Sequence, residues 1–278
     1  MTDRRADCRA DCALARQLAE QAGVVLQEFR GSFVAPPGTD RPVRALRDAA
    51  DAAAQDFLAA ALTTQRPEDA VLSEEAADSA ERDDAERVWI IDPLDGTFEY
   101  GAGRSDWAVH VALWERSAGP AGRGALTAGA IALPDEALVF CSDLPQRPPE
   151  PATDRPLRII ASRSRPPAGL PAVATALAGA WADLGGPRDA EIVQVGSVGA
   201  KVARLLTGRA EVYLHDSGFY EWDVAAPLAV AQAAGLHAAH VDGSLVTFNH
   251  RPPYVTDLAV CRPELTEALA QAVHHLGS

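Results

Sequence analysis

Two carboxylates three residues apart, Asp92 and Asp95, close the stretch Trp89-Ile90-Ile91-Asp92-Pro93-Leu94-Asp95-Gly96-Thr97. An apolar run that ends in Pro and Gly reads as a buried strand passing into a rigid turn. Pro93 fixes its own φ, and Gly96 lets the chain turn without a Cβ penalty. Two carboxylates held there, with the Leu94 carbonyl between them, are hard oxygen ligands suited to Mg²⁺. A typical zinc set would call for His or Cys. Asp-Pro and Asp-Gly pairs also form ordinary turns in which the Asp side chain only caps the backbone.

Other carboxylates widen the first reading. Glu74 follows a short apolar stretch and is either a third ligand or half of a solvated Glu74-Glu75 pair. Asp223 opens a helix, as its N-cap or as a ligand arriving from the second half of the chain. Glu74, Asp92, Asp95 and Asp223 in one place would raise one another's pKa, and divalent metals relieve that repulsion. This is the arrangement expected for two-metal hydrolysis of a phosphate ester, in which metal lowers the pKa of the attacking water and stabilises the leaving oxygen. Thr97 is placed to orient that water and Glu74 to accept its proton. Asp51 is either the polar partner of Thr97 or a plain helix-surface Asp.

Gly196-Ser197-Val198-Gly199, followed by Lys201, sits between a strand and a helix and offers N–H groups to an anion. Ser162-Arg163-Ser164-Arg165 is the most concentrated basic-hydroxyl cluster, either a second phosphate contact or a surface loop. The aspartates are too far apart for an Asp-x-Asp-x-Thr nucleophile, and no nucleoside-triphosphate loop is present. His110 lies in a strand without Ser and Asp partners and reads as structural.

The elements that must position these groups follow from periodicity. Leu14, Leu18, Val25 and Phe29 predict a helix over 3–30, and Ala50, Ala54, Phe57, Leu58 and Ala61 one over 43–65. Strands are expected at 71–72, 107–114, 126–133 and 137–140, with a charged surface excursion over 76–87. Prolines between 145 and 156 mark a boundary, which divides the chain into an N-terminal α+β domain, 1–150, and a C-terminal α/β domain, 151–278. The first has helices followed by an antiparallel sheet and carries most of the metal ligands. In the second, strands and helices alternate through short loops, as in α/β folds, and it supplies substrate contacts and the last metal aspartate.

With 278 residues, 47% of them hydrophobic and 23% charged, the chain has the balance of a soluble protein. No stretch of 18 apolar residues predicts a membrane span, and the N-terminus has no signal-peptide pattern. A formal net charge of -14 argues against a nucleic-acid polymer as partner. It leaves room for a small phosphorylated ligand met by metal or local positive charge. Cys8, Cys12, Cys141 and Cys261 form no disulfide framework or zinc motif, and Cys8 and Cys12 read as ordinary thiols. A cytoplasmic protein is expected.

These motifs together resemble the inositol monophosphatase-like superfamily of Mg²⁺-dependent, lithium-sensitive phosphatases, over almost the whole chain. The Trp89–Thr97 stretch matches its first signature and Glu221-Trp222-Asp223-Val224-Ala225-Ala226-Pro227 its second. Leu72-Ser73-Glu74-Glu75 and Ala49-Ala50-Asp51 match its upstream glutamate and the aspartate paired with the catalytic threonine. The resemblance implies a layered α/β/α/β/α fold, a homodimer, and two or three Mg²⁺ per site, with Mn²⁺ as a substitute. The metal would be held by Glu74, Asp92, Leu94, Asp95 and Asp223, and Glu74, Thr97 and Asp51 would be catalytic. Within the superfamily, 107–114, Tyr220-Glu221-Trp222-Asp223, Ser162-Arg163-Ser164 and Lys201 resemble the CysQ-like branch of 3'(2'),5'-bisphosphate nucleotidases in its actinobacterial form. That branch removes the 3'-phosphate of adenosine 3',5'-bisphosphate. Substrate contacts are then expected from Gly96, Thr97, Ser162, Arg163, Ser197, Lys201 and Glu221. Two departures stand out. Phe98 replaces the usual basic residue, which makes it and Tyr100 candidate stacking contacts, and Leu46-Arg47-Asp48 replaces a common Gly-Lys pair. An inositol or sugar phosphatase, or a phosphatase specialised for one biosynthetic pathway, is the alternative. A non-catalytic binding protein would lack the metal carboxylates, and all four are present.

Overall fold

The computed structural model describes residues 4–35, 39, 41–119 and 123–274. The first half runs α1 (Arg4–Ser32), α2 (Pro42–Gln65), β1 (Ala70–Ser73), β2 (Arg87–Asp95), α3 (Thr97–Gly101), β3 (Ala108–Glu115), β4 (Ala125–Leu133) and β5 (Leu138–Cys141). The second runs β6 (Leu157–Ser162), α4 (Leu170–Asp183), β7 (Ala190–Val195), α5 (Val198–Leu206), β8 (Val212–His215), β9 (Phe219–Tyr220), α6 (Glu221–Ala233), β10 (His237–Ala239), β11 (Tyr254–Val255), β12 (Leu258–Cys261) and α7 (Thr266–Ala272).

The order of layers is α/β/α/β/α. Along α1, Leu14, Ala15, Leu18, Ala19, Ala22 and Leu26 are buried at helical spacing. They join Leu58 and Leu62 of α2 in covering one face of the first sheet, ordered β1-β2-β3-β4-β5. Helices α5 and α6 pack between that sheet and the second, ordered β10-β12-β8-β6-β7. Helices α4 and α7 close the far side. Strand β2 is buried on both faces, which is why it reads as an unbroken apolar run. Trp89 and Ile91 face α1 and α2, while Val88 and Ile90 face the middle layer.

Two expectations need correction. The first sheet is not wholly antiparallel, because β1 pairs with β2 in parallel. The excursion over 76–87 is not all surface. Arg82 is fully buried, paired with Asp78, and donates to Asn249 Oδ1 and the His250 carbonyl. It ties this loop to the second half of the chain. Residues of both halves share the middle core, among them Ile90, Ile131, Ile160, Tyr213 and Val260. Among the described residues, no helix is long and apolar enough to cross a membrane.

Candidate active site

In a regular strand, residues i and i+3 point to opposite faces, so Asp92 and Asp95 would diverge. A register shift prevents this. Asp92 lies opposite His110 and Asp95 opposite Ala108, so three steps on β2 span two on β3. Pro93 has no N–H for the ladder, and the extra residue is accommodated as a bulge. His110 and Ala108 share one face of β3, and the bulge brings both aspartates to that face. Gly96 then turns the chain at φ +90°, a conformation that disfavours a side chain. A Cβ there would also stand 3.3 Å from the Trp107 backbone.

Helix α5 fixes Asp95. Its Oδ2 accepts from Val198 N at 2.6 Å and from Gly199 N at 3.2 Å. The Gly-Ser turn therefore does present N–H groups to an anion, and the anion is the chain's own carboxylate. Close approach of α5 to β3 requires Gly199, since a Cβ would lie 2.4 Å from His110 Nε2. Asp223 comes from α6. It sits in that helix's first turn with Tyr220 as N-cap, not at the cap position expected, and its Oδ2 accepts from Tyr220 N at 2.8 Å.

Carboxylate oxygens of Asp92, Asp95 and Asp223 lie within 4.8 Å of one another. Asp92 Oδ1 accepts from Leu94 N at 3.0 Å. Its Oδ2 is buried and has no hydrogen-bond partner among the described residues. A buried, orphaned carboxylate oxygen facing two more carboxylates calls for a cation, and an all-oxygen donor set fits a hard divalent one. Glu74 is exposed at the rim just past β1, yet its carboxylate lies against Asp92.

The electrostatics follow from crowding. Burial, then Glu74, Asp95 and Asp223, hold Asp92 well above the usual carboxylate range. Burial and then Asp95 push Asp223 up to about 8. Burial, then Asp51 and Asp95, push Glu74 up to about 7. Asp51 also rises to about 7, through burial and then Glu75 and Asp48. Lys201, the chain's only lysine, is buried in α5 beside the cluster. Burial pulls its ammonium down to about 8, while Asp95 and Asp223 act the other way. It donates to the Gly196 carbonyl and lies over the Tyr213 ring.

Several expected contacts are placed elsewhere. Thr97 Oγ1 donates to the Leu94 carbonyl at 3.2 Å, so the anticipated pair with Asp51 does not form. Tyr100 is fully buried, packs edge-on against Trp107 and donates to the Leu26 carbonyl; it is a core residue, not a substrate contact. Glu221 is buried and its carboxylate is taken up by Asn249 N and His250 N, at 2.7 and 2.8 Å, so it holds a loop instead of a ligand. Arg163 is held between Glu99 and Asp106, which neutralise it. Ser162 Oγ accepts from Arg165 N, and Ser197 caps α5 through Ala200 N, so both hydroxyls serve their own turns.

The structure also locates residues that the sequence reading named without a site role or left open. His110 is fully buried, with Nε2 3.3 Å from Asp95 Oδ2 and Nδ1 3.4 Å from the Trp222 carbonyl. Burial lowers its pKa, which keeps a neutral ring beside Asp95. Its alternation with Ala108 along β3 was the available signal. Phe98 is exposed, and the Arg47 guanidinium stacks 4.9 Å above its ring and donates to its carbonyl. Arg47 thus brings a positive charge from α2 to the place where the chain has Phe98 in place of a base. Arg165 has no carboxylate partner among the described residues, and its charge reaches Lys201.

Comparison with known proteins bears on this geometry. Residues 8–278 match the inositol monophosphatase family. The 3'-phosphoadenosine 5'-phosphate phosphatase of Mycobacterium leprae (strain TN) is 42% identical over 271 residues, spanning 96% of this chain and 94% of that protein. The 3'(2'),5'-bisphosphate nucleotidase CysQ of Escherichia coli (strain K12) is 28% identical over 253 residues, spanning 86% and 94%. Among solved structures, CysQ from Bacteroides thetaiotaomicron shares the fold with a TM-score of 0.72 at 22% identity, over 91% of this chain and 97% of that one.

Proposed function

The chain belongs to the inositol monophosphatase family, a family of metal-dependent phosphatases, and on that premise we propose that it removes the 3'-phosphate of adenosine 3',5'-bisphosphate with Mg²⁺. The observation that carries the reading is the convergence of Asp92, Asp95 and Asp223 around an orphaned buried oxygen. Glu74 and the Leu94 carbonyl complete the donor set. A divalent ion bound there supplies a water of lowered pKa and charge stabilisation of the leaving oxygen.

The protein's own groups do the rest. The Thr97 hydroxyl proton is committed to the Leu94 carbonyl, which leaves the oxygen's lone pairs to accept from a water and aim it. Glu74, at the rim against Asp92, is the carboxylate we assign to take the water's proton. Helix α5 holds Asp95 rigid through two N–H groups. Lys201 and Arg165 supply positive charge to phosphate oxygens, and Arg47 over Phe98 supplies a third basic group.

A nucleotide fits the rim better than a sugar. The Tyr220 ring is exposed, stacks on Trp222 with centroids 4.6 Å apart, and meets exposed Tyr254 edge-on. The Tyr220 N–H donates to the Asp223 carboxylate, which ties the backbone carrying this ring to the cluster. Base–aromatic stacking contributes about 1–3 kcal/mol. Phosphate release from adenosine 3',5'-bisphosphate, inositol 1-phosphate and fructose 1,6-bisphosphate, each with and without Mg²⁺, tests the proposal. Expected is a strong preference for the first, lost with Tyr220→Ala at little cost to the other two. Equal turnover of all three would sink the nucleotide reading, and turnover without any divalent metal would sink the mechanism.

A further inference from the structure

Three of the four thiols gather at a place the carboxylate cluster does not touch. Cys8 and Cys12 are one turn apart on α1, and β5 ends on Cys141. Residues i and i+4 share a helix face, and this face meets β4. Cys8 Sγ lies 3.3 Å, and Cys12 Sγ 3.7 Å, from the Thr127 carbonyl. Cys141 Sγ lies 3.4 Å from the Cys12 carbonyl. Asp143 follows two residues after Cys141, in the turn that leaves β5. Sγ of Cys12, Sγ of Cys141 and a carboxylate oxygen of Asp143 lie within 4.8 Å of one another. Asp143 Oδ1 is buried without a hydrogen-bond partner among the described residues. Cys12 and Cys141 are buried, whereas Cys8 and Asp143 reach solvent and leave an entry path.

From this geometry we propose a second metal site, distinct from the carboxylate cluster, in which Cys12, Cys141 and Asp143 bind a thiophilic divalent ion of the Zn²⁺ class, with Cys8 as a fourth donor. Tetrahedral Zn²⁺ with bonds of about 2.3 Å to sulfur sets its donors about 3.8 Å apart. A cluster already drawn within 4.8 Å closes onto an ion with small side-chain shifts. The two sites sort by softness: thiolates select Zn²⁺-like ions, and the all-carboxylate site takes Mg²⁺. Binding is not a redox step. Each coordinating thiol releases its proton to solvent and gives the sulfur electron pair to the metal. The motif escapes sequence scanning because its halves are 129 residues apart. An ion here would pin the first turns of α1 to the end of β5.

Co²⁺ titration of the full chain tests this, after chelation and reduction with a phosphine, in saturating Mg²⁺ to occupy the carboxylates. Expected is a near-ultraviolet thiolate-to-cobalt charge-transfer band, saturating stoichiometrically and bleached by Zn²⁺. A Cys12→Ser/Cys141→Ser variant should lose the band and keep Mg²⁺-dependent phosphate release. No band in the parent protein overturns the site. A band of full intensity in the double variant overturns it too, because it must then come from Cys8 or Cys261. Should the double variant fail to fold, Cys8→Ala and Asp143→Asn carry the test, both positions being partly exposed. Asp143→Asn should weaken Co²⁺ binding roughly tenfold or more, and unchanged affinity in both variants overturns the proposal.

Discussion

Replacing Asp95 with Asn keeps the shape of the side chain and removes its charge. The amide oxygen still accepts from Val198 N and Gly199 N, so the loss is the charge-assisted share of two bonds of 2.6 and 3.2 Å in the parent. That share is about 1 kcal/mol per bond, with about 0.5 kcal/mol more from the N-terminus of α5. Relief of repulsion opposes this. Two carboxylates at the outer limit of 4.8 Å repel by about 3.5 kcal/mol at an effective dielectric of about 20. Asp223 is raised to about 8 and Asp92 stands well above its usual range. Near pH 6 Asp223 is therefore largely protonated, and burial and crowding disfavour the charged form of Asp92, so less relief is on offer there than at higher pH. The metal-free variant should be about 2–3 kcal/mol less stable than the parent near pH 6, and the gap should close toward zero near pH 9 as Asp223 ionises. Mg²⁺ widens the difference again. At a hundredfold excess over Kd it stabilises the parent by about 2.7 kcal/mol and the variant hardly at all. The drop in kcat/KM should exceed the 10–100-fold typical of losing a group that merely orients a ligand. Urea denaturation at both pH values, with and without Mg²⁺, and phosphate release measure all of this. A variant that keeps the parent's Mg²⁺ stabilisation or its turnover refutes the assignment of Asp95. A destabilisation that is the same near pH 6 and pH 9 refutes the electrostatic account.

Other outcomes follow from the same geometry. Asp51, Glu74 and Asp223 have folded pKa values raised to about 7, 7 and 8, so the folded state holds protons that the unfolded chain has shed above about pH 4. Stability of the metal-free protein should therefore fall as pH rises from about 5 to 8, and thermal melts with Mg²⁺ should flatten that slope. A metal-free melting temperature that rises across the window would contradict it. Arg163→Ala leaves Glu99 and Asp106 without their shared cation and should cost about 3–5 kcal/mol; a loss of bisphosphate preference at unchanged stability would show Arg163 to be a ligand contact after all. Tyr100→Phe removes the bond to the Leu26 carbonyl, for about 1 kcal/mol, with no change in KM. Arg47→Ala should raise KM for the bisphosphate several-fold and leave kcat nearly unchanged; an unaltered KM would remove Arg47 from the substrate's path.

The carboxylate cluster was legible because its members lie on elements whose type is written in the local pattern. Residues 89–97 show a buried strand, a Pro and a Gly, and the aspartates mark its end. What the sequence did not show is how i and i+3 come to face the same way, since a one-residue bulge leaves no mark in hydrophobic periodicity. Substrate contacts were less legible for a related reason. Arg163, Glu221 and Ser197 have the right chemistry in the right segments, but Arg163 is claimed by Glu99 and Asp106 and Glu221 by the backbone at 249 and 250, partners distant in sequence, while Ser197 caps its own helix through Ala200 N. Residue type announces capacity, whereas availability depends on which partner the fold brings first. Arg47 is the converse case. It reads as an ordinary helix residue, and only the crossing of α2 over α3 puts its charge above Phe98.

Availability also explains how so acidic a chain handles an anionic substrate. The formal charge is -14, and the site itself gathers five carboxylates, so without compensation it would repel phosphate. Three devices on different layers act against this. Burial raises the pKa values of Asp92, Asp223 and Asp51, so part of the negative charge is absent at neutral pH until a cation arrives. The chain's only lysine is placed where solvent cannot screen it, and in such surroundings one ammonium acts more strongly than several on the surface. Elsewhere, arginines such as Arg82, Arg87 and Arg163 are bound to carboxylates, which takes their charge out of competition for the substrate. On the proposed reading, a phosphate would be met where the charges of Lys201, Arg165 and a bound metal add.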